Sequence, residues 1–516
     1  MADTAAGLGL KHRHGKSELC AIFVHAGAGF HSTANEHVHL EACHSASQLA
    51  MAVLKSGGSA VDAVEIAVKV LEDREITNAG YGSNLSMDGV VECDALVVDH
   101  MGRSGGVGAI VQVKNPVMAA RQVLERSTHP LSLRRVPPNL LVGQGATDFA
   151  FEVGIPLAPH DALVSPAARD RWIRWRADLQ EAEQRLRQKG LDSPSIASAC
   201  TNPLQRDIEI NRARESHTRS LKRSASTSRQ SSMSSQAAAD SRALAQARAI
   251  HEASMNPLIN SSQVLPTQQS LAEASESSLT DSSFPPLPSL TPSPVNKADR
   301  TPSSPVSRLN LDAAPIGPAP QQDNITDTVG AIAVDSYGNI ACAASSGGIG
   351  MKHRGRVGPA ALVGVGAAVI PINPNDSGKN CIAAVTSGTG EHMATTLASA
   401  LCADRLYTQQ KRTDRGTFEH AGDDDIMRAF IERDFMGAVK NSTSTGAIGI
   451  LTVRKNKSGI WLYYAHNTDS FAMASMGSED LEPHLTMSRR GAPSVIANGG
   501  RFIRRRREKK VKTSQS

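Results

Sequence analysis

Apolar positions in the first part of the chain alternate between strand-like runs and helix-like periods. Short apolar runs bounded by glycine predict buried strands, whereas apolar positions three or four residues apart predict helices. One helix also carries a start signal, since Ser59 and Asp62 form a capping-box pattern. The predicted elements are a strand over residues 21–24, helices over about 40–54, from 59 onward and over 116–124, a glycine-bearing loop over 78–88 and a strand over 90–98.

This periodicity is lost in the middle of the chain. Residues 171–190 are a highly charged stretch with helical character, and from there to about residue 325 Ser, Thr, Pro, Gln and Ala dominate. Such a composition cannot bury enough apolar area to offset the chain entropy lost on folding. We therefore predict a globular block over residues 20–170, then a charged helix, and then a disordered insert over about 191–325. Residues 1–19 are predicted to be a disordered N-terminus.

A strand pattern returns at Thr328. Residues 329–334 are rich in β-formers, and 335–339 have turn character. Residues 340–344 then lead back toward Ser346, so that this hairpin would hold Thr328 beside Ser346. Further strands are predicted over 361–370, 380–385, 446–453 and 460–464, with a helix over about 391–406.

Composition excludes several classes of protein. The 516 residues carry a net charge of only +5, so no strong field for nucleic acid is indicated. The seven cysteines are widely spaced and include no Cys-x-x-Cys or zinc-like spacing, which favours reduced thiols in an intracellular protein and predicts no metal or cofactor. No apolar run is long enough to span a bilayer, and the N-terminus lacks the apolar core of a signal peptide. Membrane insertion and secretion are therefore not expected.

The candidate chemistry begins at the bond between Asp327 and Thr328, where polar sequence meets strand. A threonine hydroxyl is a weak nucleophile at neutral pH. If the chain were cut here, the new α-amine, with a reference pKa of about 7.7 to 8.0, could act as general base on the same residue. The alternative is that Thr328 is only the first residue of a strand and Asp327 a solvated turn residue. This bond taken alone favours the alternative.

Six short motifs reverse that preference, because they occur together and in order. They lie at residues 25–29, 78–85, 92–95, 345–348, 355–358 and 387–392. In this order they resemble the plant-type asparaginase and glycosylasparaginase family of N-terminal-nucleophile hydrolases, and within it the taspase branch of threonine aspartases. The resemblance covers about residues 20–160 and 325–475.

The resemblance implies a four-layer αββα sandwich, in which two antiparallel sheets lie between outer layers of helices. Sequence pattern alone would not select this arrangement over other α/β layers. The resemblance also implies that the chain cuts itself before Thr328, which would give an alpha subunit over residues 20–327 and a beta subunit over 328–516. A dimer of such alpha–beta heterodimers is the implied assembly.

Roles for five further residues are implied in the same way. Ser346 matches a second hydroxyl that orients the nucleophile, although a serine before Gly-Gly is often only a turn residue. Ser387 and Gly388 match a pair that stabilises the developing oxyanion. Asn84 is a second candidate for donating a hydrogen bond to the oxyanion or for binding the substrate. The alternative is that its side chain only forms hydrogen bonds with the backbone of its own loop. Arg356 matches the residue that grips the substrate carboxylate, against the alternative of an ordinary surface arginine.

The residue after this arginine motif separates two activities. In the resemblance, asparaginases carry an Asp there that pairs with the α-ammonium of free L-asparagine, whereas this chain has Pro359. An aspartyl residue inside a polypeptide has no such charge, so the sequence favours a threonine endopeptidase that cleaves after aspartate. The alternatives are an L-asparaginase or isoaspartyl peptidase with the same nucleophile, and a catalytically silent scaffold whose insert recruits partners.

Two basic clusters suggest a location in the cell. Either could be a nuclear import signal, so we expect the protein in the nucleus and cytoplasm, with the nucleus favoured, and nuclear regulatory proteins as substrates. The alternative is a solvated charged tail or nonspecific contact with nucleic acid; no specific nucleic-acid partner is expected. The clusters are Arg212, Arg214, Arg219, Lys222 and Arg223 in the insert, and a basic tail over about 501–516.

Overall fold

The computed structural model of the protein describes residues 19–188, 212 and 327–504. The two long segments belong to one compact unit. Nearly all of the predicted N-terminal disorder, of the predicted insert and of the basic tail lies outside the described residues. Among the residues described, no helix combines the length and apolar character that crossing a bilayer requires.

Helices and strands alternate along both described segments. The helices are α1 (Glu36–Lys55), α2 (Ala60–Glu72), α3 (Pro116–Ser127), α4 (Gly143–Glu152), α5 (Pro166–Gln188), α6 (Gly390–Thr396), α7 (Ala398–Thr408), α8 (Asp423–Ala429) and α9 (Met436–Val439), with a π-helical turn over Phe430–Phe435 between the last two. The strands are β1 (Ala21–Gly29), β2 (Cys93–Val98), β3 (Ser104–Ile110), β4 (Leu140–Val142), β5 (Val329–Val334), β6 (Ile340–Ser346), β7 (Ala367–Ile370), β8 (Cys381–Gly388), β9 (Gln410–Arg412), β10 (Phe418–His420), β11 (Ile448–Asn456), β12 (Gly459–His466), β13 (Ser470–Gly477), β14 (His484–Arg489) and β15 (Ala497–Ile503).

Most of these strands form two stacked sheets. In the described segments the first sheet has eight strands in the order β14-β13-β1-β5-β6-β2-β3-β4, and the second has five in the order β15-β12-β11-β8-β7. All neighbours are antiparallel except β3 and β4. Each sheet therefore has one face toward its partner sheet and one toward helices, which is the αββα sandwich that was predicted.

Alternation along the strands assigns apolar side chains to three cores. On β5, Ala331 and Ala333 pack with α1, α2 and α3, whereas Ile332 and Val334 pack between the sheets. A third core lies between the second sheet and the helices from α6 onward, with Phe430 at its centre. The strand β5, which follows Thr328 directly, is thus buried on both faces.

Local signals predicted several elements correctly. Ser59 caps α2 in a complete capping box with Asp62, with the Asp62 N–H donating to Ser59 Oγ at 3.2 Å and the Ser59 N–H to Asp62 Oδ2 at 2.9 Å. Two predictions were wrong in detail. The strand over 361–370 begins only at Ala367, because a tight 3₁₀ turn precedes it. The helix over 391–406 is broken at Leu397, whose φ of +49° lies in the left-handed region.

Three strands at the C-terminal end of the described chain were not predicted. β13 and β15 contain many small residues and glycines, which give little strand signal alone, and pairing with β1 and β12 holds them in place. Arg501, which was assigned to the basic tail, lies in β15. Its guanidinium donates to Asp480 Oδ2 at 2.7 Å and to Ser475 O at 3.1 Å, so it has a structural role.

Glu72 ends α2 inside the core between the helices and the first sheet. Its side chain is fully buried, and Oε1 accepts a hydrogen bond from the backbone N–H of Val117 at 3.0 Å, at the start of α3. Burial raises the pKa of the Glu72 carboxyl to about 8 from an ordinary value of 4.5. The folded protein therefore holds a proton on Glu72 at pH values where the unfolded chain has released it.

We predict that Glu72→Gln flattens the pH dependence of stability. In the native protein the free energy of unfolding should fall as the pH rises from about 4.5 through 8, because the folded state must give up its bound proton. Gln keeps an oxygen for Val117 and does not titrate. Urea-unfolding midpoints at pH 5 and pH 8 measure the effect, with the exposed Glu432→Gln as control. An unchanged pH slope in Glu72→Gln would contradict the assignment.

Candidate active site

The first sheet brings three polar side chains into one row near an end of the sandwich. Val329 pairs with Ser345 across β5 and β6, which places Thr328 opposite Ser346, and Ser346 pairs in turn with Asp94 on β2. Side chains an even number of residues away along each strand, four on β5 and two on β6 and β2, pack between the two sheets, and by alternation the row faces the second sheet as well. These neighbours are Ile332, Ala344 and Leu96.

Ser387 reaches this row from the second sheet. Its Oγ accepts the backbone N–H of Thr328 at 3.2 Å and that of Ala28 at 3.0 Å. The hydroxyl proton of Ser387 is thereby left to donate elsewhere. Gly388 follows with φ +149°, and a Cβ at this position would overlap the carbonyl oxygen of Ala447. Only glycine lets the end of β8 approach β11 so closely.

The Asp327–Thr328 bond is buried and not at the surface of a turn, with both residues 4% exposed. The Asp327 side chain lies against Gly27 and Gly29 at the end of β1, where a Cβ on either glycine would overlap it. Its Oδ2 is 3.1 Å from Nε2 of His31. The alternative of a solvated Asp327 does not describe this environment.

Arg356 lies in a cradle of three glycines. A Cβ on Gly348, Gly358 or Gly390 would come within 2.8 Å of the guanidinium. The Arg356 side chain is only 15% exposed, so it is not an ordinary surface arginine. Its Nε and Nη2 donate to Glu391 Oε1 at 3.0 and 2.8 Å. The guanidinium therefore already holds one carboxylate, which shows that the cradle admits such a group.

Two buried carboxylates hold the loop that carries Arg356. Glu92 Oε2 accepts the Gly355 N–H at 2.9 Å, and Asp94 Oδ2 accepts the Gly358 N–H at 2.7 Å. Lys352, which is also buried, donates to the carbonyl oxygen of Glu92 at 2.6 Å. Burial raises the pKa of both carboxyls, and the Lys352 charge opposes that rise. The sequence analysis gave these residues no role, although two acids at alternate strand positions were a usable signal.

Asn84 is held by its surroundings. Its backbone N–H donates to Asn78 Oδ1 at 2.9 Å, its Oδ1 accepts Arg171 Nε at 3.3 Å, and its Nδ2 lies 3.5 Å from Gly348 O. These contacts are of the kind that the loop-stabilising alternative requires, and Gly348, the acceptor of the third, is two residues after Ser346 in the chain. Asn84 thus lies beside the row of Thr328, Ser346 and Asp94, and its amide oxygen accepts a hydrogen bond from Arg171 of α5.

The helix α5 lies over the same loops. Besides its bond to Asn84, Arg171 donates through Nη2 to Gly82 O at 3.0 Å, and Trp172 Nε1 donates to Ser86 O at 2.9 Å. One helical turn further on, the Trp175 ring covers Gly350, where a Cβ would overlap it. The charged helix predicted from sequence therefore has a face that supports the candidate site.

His25 lies in β1, opposite Gly330 of β5, and is fully buried. Burial lowers the pKa of its imidazole to about 3, and the nearby backbone of Thr328 opposes only part of that shift. The ring is thus neutral at physiological pH and packs against Phe471. Within residues 19–188 and 327–504, no cluster of three or more His, Cys, Asp or Glu side chains is arranged to hold a metal ion.

Comparison with known proteins identifies the family of the chain. A family model described as asparaginase matches residues 18–202 and 232–472. The chain belongs to this family. It is 40% identical over 154 residues to an isoaspartyl peptidase/L-asparaginase of Xenopus laevis, which is 30% of this chain and 47% of that protein.

Two further relatives show a similar extent of likeness. The chain is 39% identical over 171 residues to a plant-type L-asparaginase of Pyrococcus abyssi, covering 33% of this chain and 49% of the relative. It is 35% identical over 162 residues to an isoaspartyl peptidase of Salmonella typhimurium, covering 30% and 49%. The chain thus spans about half the length of the curated relatives it matches.

We predict that Gly358→Ala impairs the Arg356 cradle while the protein still folds. The new Cβ would lie 2.6 Å from Arg356 Nη1 and 3.0 Å from Asp94 Oδ2, and the flexible end of the arginine would move. KM for a carboxylate-bearing substrate should rise about tenfold, a loss of about 1.4 kcal/mol of binding. Steady-state kinetics measure it. The control is Gly437→Ala in α9, where the nearest atom to a Cβ is 3.7 Å away; equal KM values in both variants would refute the prediction.

Proposed function

We propose that the chain is a self-processing threonine endopeptidase of the taspase type, which cuts its own Asp327–Thr328 bond and then cleaves proteins after aspartate. The observation that carries the proposal is the contact of Ser387 Oγ with the backbone nitrogen of Thr328, at 3.2 Å. That nitrogen is the leaving group of self-cleavage and afterwards the base of the mature enzyme.

Self-cleavage proceeds in two steps. Thr328 Oγ1 attacks the carbonyl carbon of Asp327, the C–N bond breaks, and the hydroxyl proton passes to the Thr328 nitrogen, leaving an ester. Water then hydrolyses the ester, which returns the hydroxyl to Thr328 and gives Asp327 a terminal carboxylate. Ser346 accepts the Gly348 N–H at 3.0 Å, so its own proton is available to orient Oγ1.

The same groups serve turnover on a substrate. The free α-amine of Thr328 takes the proton from Oγ1 as it attacks the carbonyl after aspartate. Ser387 and the backbone at Gly388 stabilise the oxyanion, a contribution commonly worth about 2.7 to 4 kcal/mol per donor. Arg356 binds the aspartate side chain, a role supported by the hydrogen bonds that its Nε and Nη2 donate to Glu391 Oε1.

Pro359 favours the endopeptidase over a free amino acid hydrolase. It follows Gly358 in a buried 3₁₀ turn, and its ring lies against Gly390 beside the Arg356 guanidinium. This position therefore offers no negative charge to an α-ammonium group. A protein substrate, whose aspartyl nitrogen is acylated, needs none.

L-asparaginase or isoaspartyl peptidase activity is the second candidate. The names of the relatives favour it, and so does Glu391, whose exposed carboxylate lies 2.8 Å from Arg356. Burial raises the pKa of Glu391, but the Arg356 guanidinium outweighs this and holds it below its ordinary value. The charged carboxylate could pair with the ammonium of a free amino acid.

The proposed partners and location follow from the resemblance. We propose nuclear regulatory proteins as substrates, a dimer of alpha–beta heterodimers as the assembly, and the nucleus and cytoplasm as the location. The basic clusters in the sequence support import. Arg501 does not contribute to such a signal, because its guanidinium pairs with Asp480.

We predict that Thr328→Ala remains a single chain, because the nucleophile of self-cleavage is removed. Thr328→Ser keeps a hydroxyl and should still yield fragments of residues 1–327 and 328–516. Intact mass and gel analysis of freshly made protein measure both. Continued cleavage of this bond in the Thr328→Ala variant would contradict the proposal.

We also predict a substrate preference that separates the two activities. The mature enzyme should cleave an aspartate-containing peptide and release little ammonia from L-asparagine. Pro359→Asp should raise ammonia release about tenfold, since about 1.4 kcal/mol of binding is restored by a charge near the α-ammonium. Pro359→Asn, which changes the backbone equally but adds no charge, is the matched control. Efficient asparagine hydrolysis by the unaltered enzyme, without peptide cleavage, would favour the second candidate.

A further inference from the structure

The residue before the scissile bond occupies a carboxylate pocket of its own. Gly27 and Gly29 line one side of Asp327, and His31 closes the other, with Nε2 at 3.1 Å from Asp327 Oδ2. The His31 side chain is completely buried and that of Asp327 is 5% exposed. Burying a carboxylate costs free energy unless a polar partner compensates it, so this contact matters to the uncut chain.

His31 is fixed by Ser470 at the start of β13. Ser470 Oγ lies 2.7 Å from His31 Nδ1 and accepts the His31 backbone N–H at 3.0 Å. Ser470 Oγ also donates to Gly29 O at 3.3 Å, so this hydroxyl links His31 to the end of β1 that lies against Asp327. Nε2 is the ring nitrogen that faces Asp327. The His39 ring packs edge-on against His31 with centroids 4.4 Å apart, which further restricts the imidazole.

The carboxylate that Arg356 holds in the same structure is a different one. Its Nε and Nη2 donate to Glu391, and the loop that carries it is bound to β2 through Glu92 and Asp94. In the uncut chain, His31 thus lies at the carboxylate of Asp327, whereas Arg356 lies at the site proposed for the carboxylate of substrates.

We propose that His31 is the positioning residue that selects aspartate for self-cleavage, whereas Arg356 selects it in substrates. This inference rests on the proposed function. Holding the Asp327 side chain between His31 and the two glycines restricts rotation next to the scissile carbonyl, which keeps that carbonyl within reach of Thr328 Oγ1. His31 forms no bond to the reacting atoms and acts through Asp327.

Two variants of similar polarity distinguish the role of His31 Nε2 from that of His31 Nδ1. Gln places its amide nitrogen about where Nε2 lies and can donate to Asp327, whereas Asn places its amide nitrogen near Nδ1 and can reach only Ser470. We expect His31→Gln to self-cleave within about threefold of the native rate and His31→Asn to be slowed by tenfold or more, as measured by the first-order appearance of fragments after synthesis.

A double-mutant cycle tests whether the loss acts through Asp327. Asp327→Asn should also slow self-cleavage, and the double variant His31→Asn/Asp327→Asn should be no slower than the slower single variant. The control is His44→Asn in α1, a half-buried histidine whose Nε2 lies 3.1 Å from Glu482 Oε2 and which should process normally. Melting temperatures in the Thr328→Ala background report folding independently of cleavage.

The outcomes separate this inference from the function on which it rests. Continued cutting in Thr328→Ala would overturn the proposed function itself. With Thr328→Ala uncut, a native rate in His31→Asn, equal losses in the Asn and Gln variants, or two losses that multiply in the double variant would overturn the role of His31 alone. If His31→Asn also lowers the melting temperature, the role of His31 is still tested by two results. These are the ratio of the self-cleavage rates of His31→Gln and His31→Asn, and the double-mutant cycle with Asp327.

Discussion

One hydroxyl joins the two sheets by hydrogen bonds at the candidate site. Ser387 Oγ, at the end of β8, accepts backbone N–H groups from Ala28 on β1 and from Thr328 ahead of β5, so the end of one sheet is tied to two strands of the other. These hydrogen bonds are buried, and an unpaired N–H there would cost about 1 to 3 kcal/mol. The candidate site exists because this contact sets the distance between Ser387 and the row formed by Thr328, Ser346 and Asp94.

Local sequence signals predicted the parts of this arrangement that are short-range. The capping box at Ser59 and the hairpin that puts Thr328 opposite Ser346 each depend on a few neighbouring residues, and both are as predicted. The resemblance supplied the αββα layering, which no local pattern could give. β13 and β15 were missed because their small residues gain strand conformation from pairing with distant strands.

The contacts around the site also divide into those that local sequence predicts and those that depend on distant elements. Arg356 was identified from its motif, but its partner Glu391 and the acids that hold its loop come from separate elements. His31 and Asp327 are brought together by the register of β1 and β5, which a single sequence does not reveal. Gly27, Gly29 and Gly358 allow close approach at positions where a Cβ would displace Asp327 or Arg356.

The position of α5 has a consequence for the chain that follows it. This helix is joined covalently to the segment that ends at Asp327, and through Arg171 and Trp172 it is bonded to the loops of the site. Asn84, Gly82 and Ser86, which α5 bonds, precede the Asp327–Thr328 bond in the chain as α5 itself does, whereas Gly350, which Trp175 covers, follows it. If the proposed cleavage occurs, α5 therefore stays bound to its own fragment and still contacts the other one.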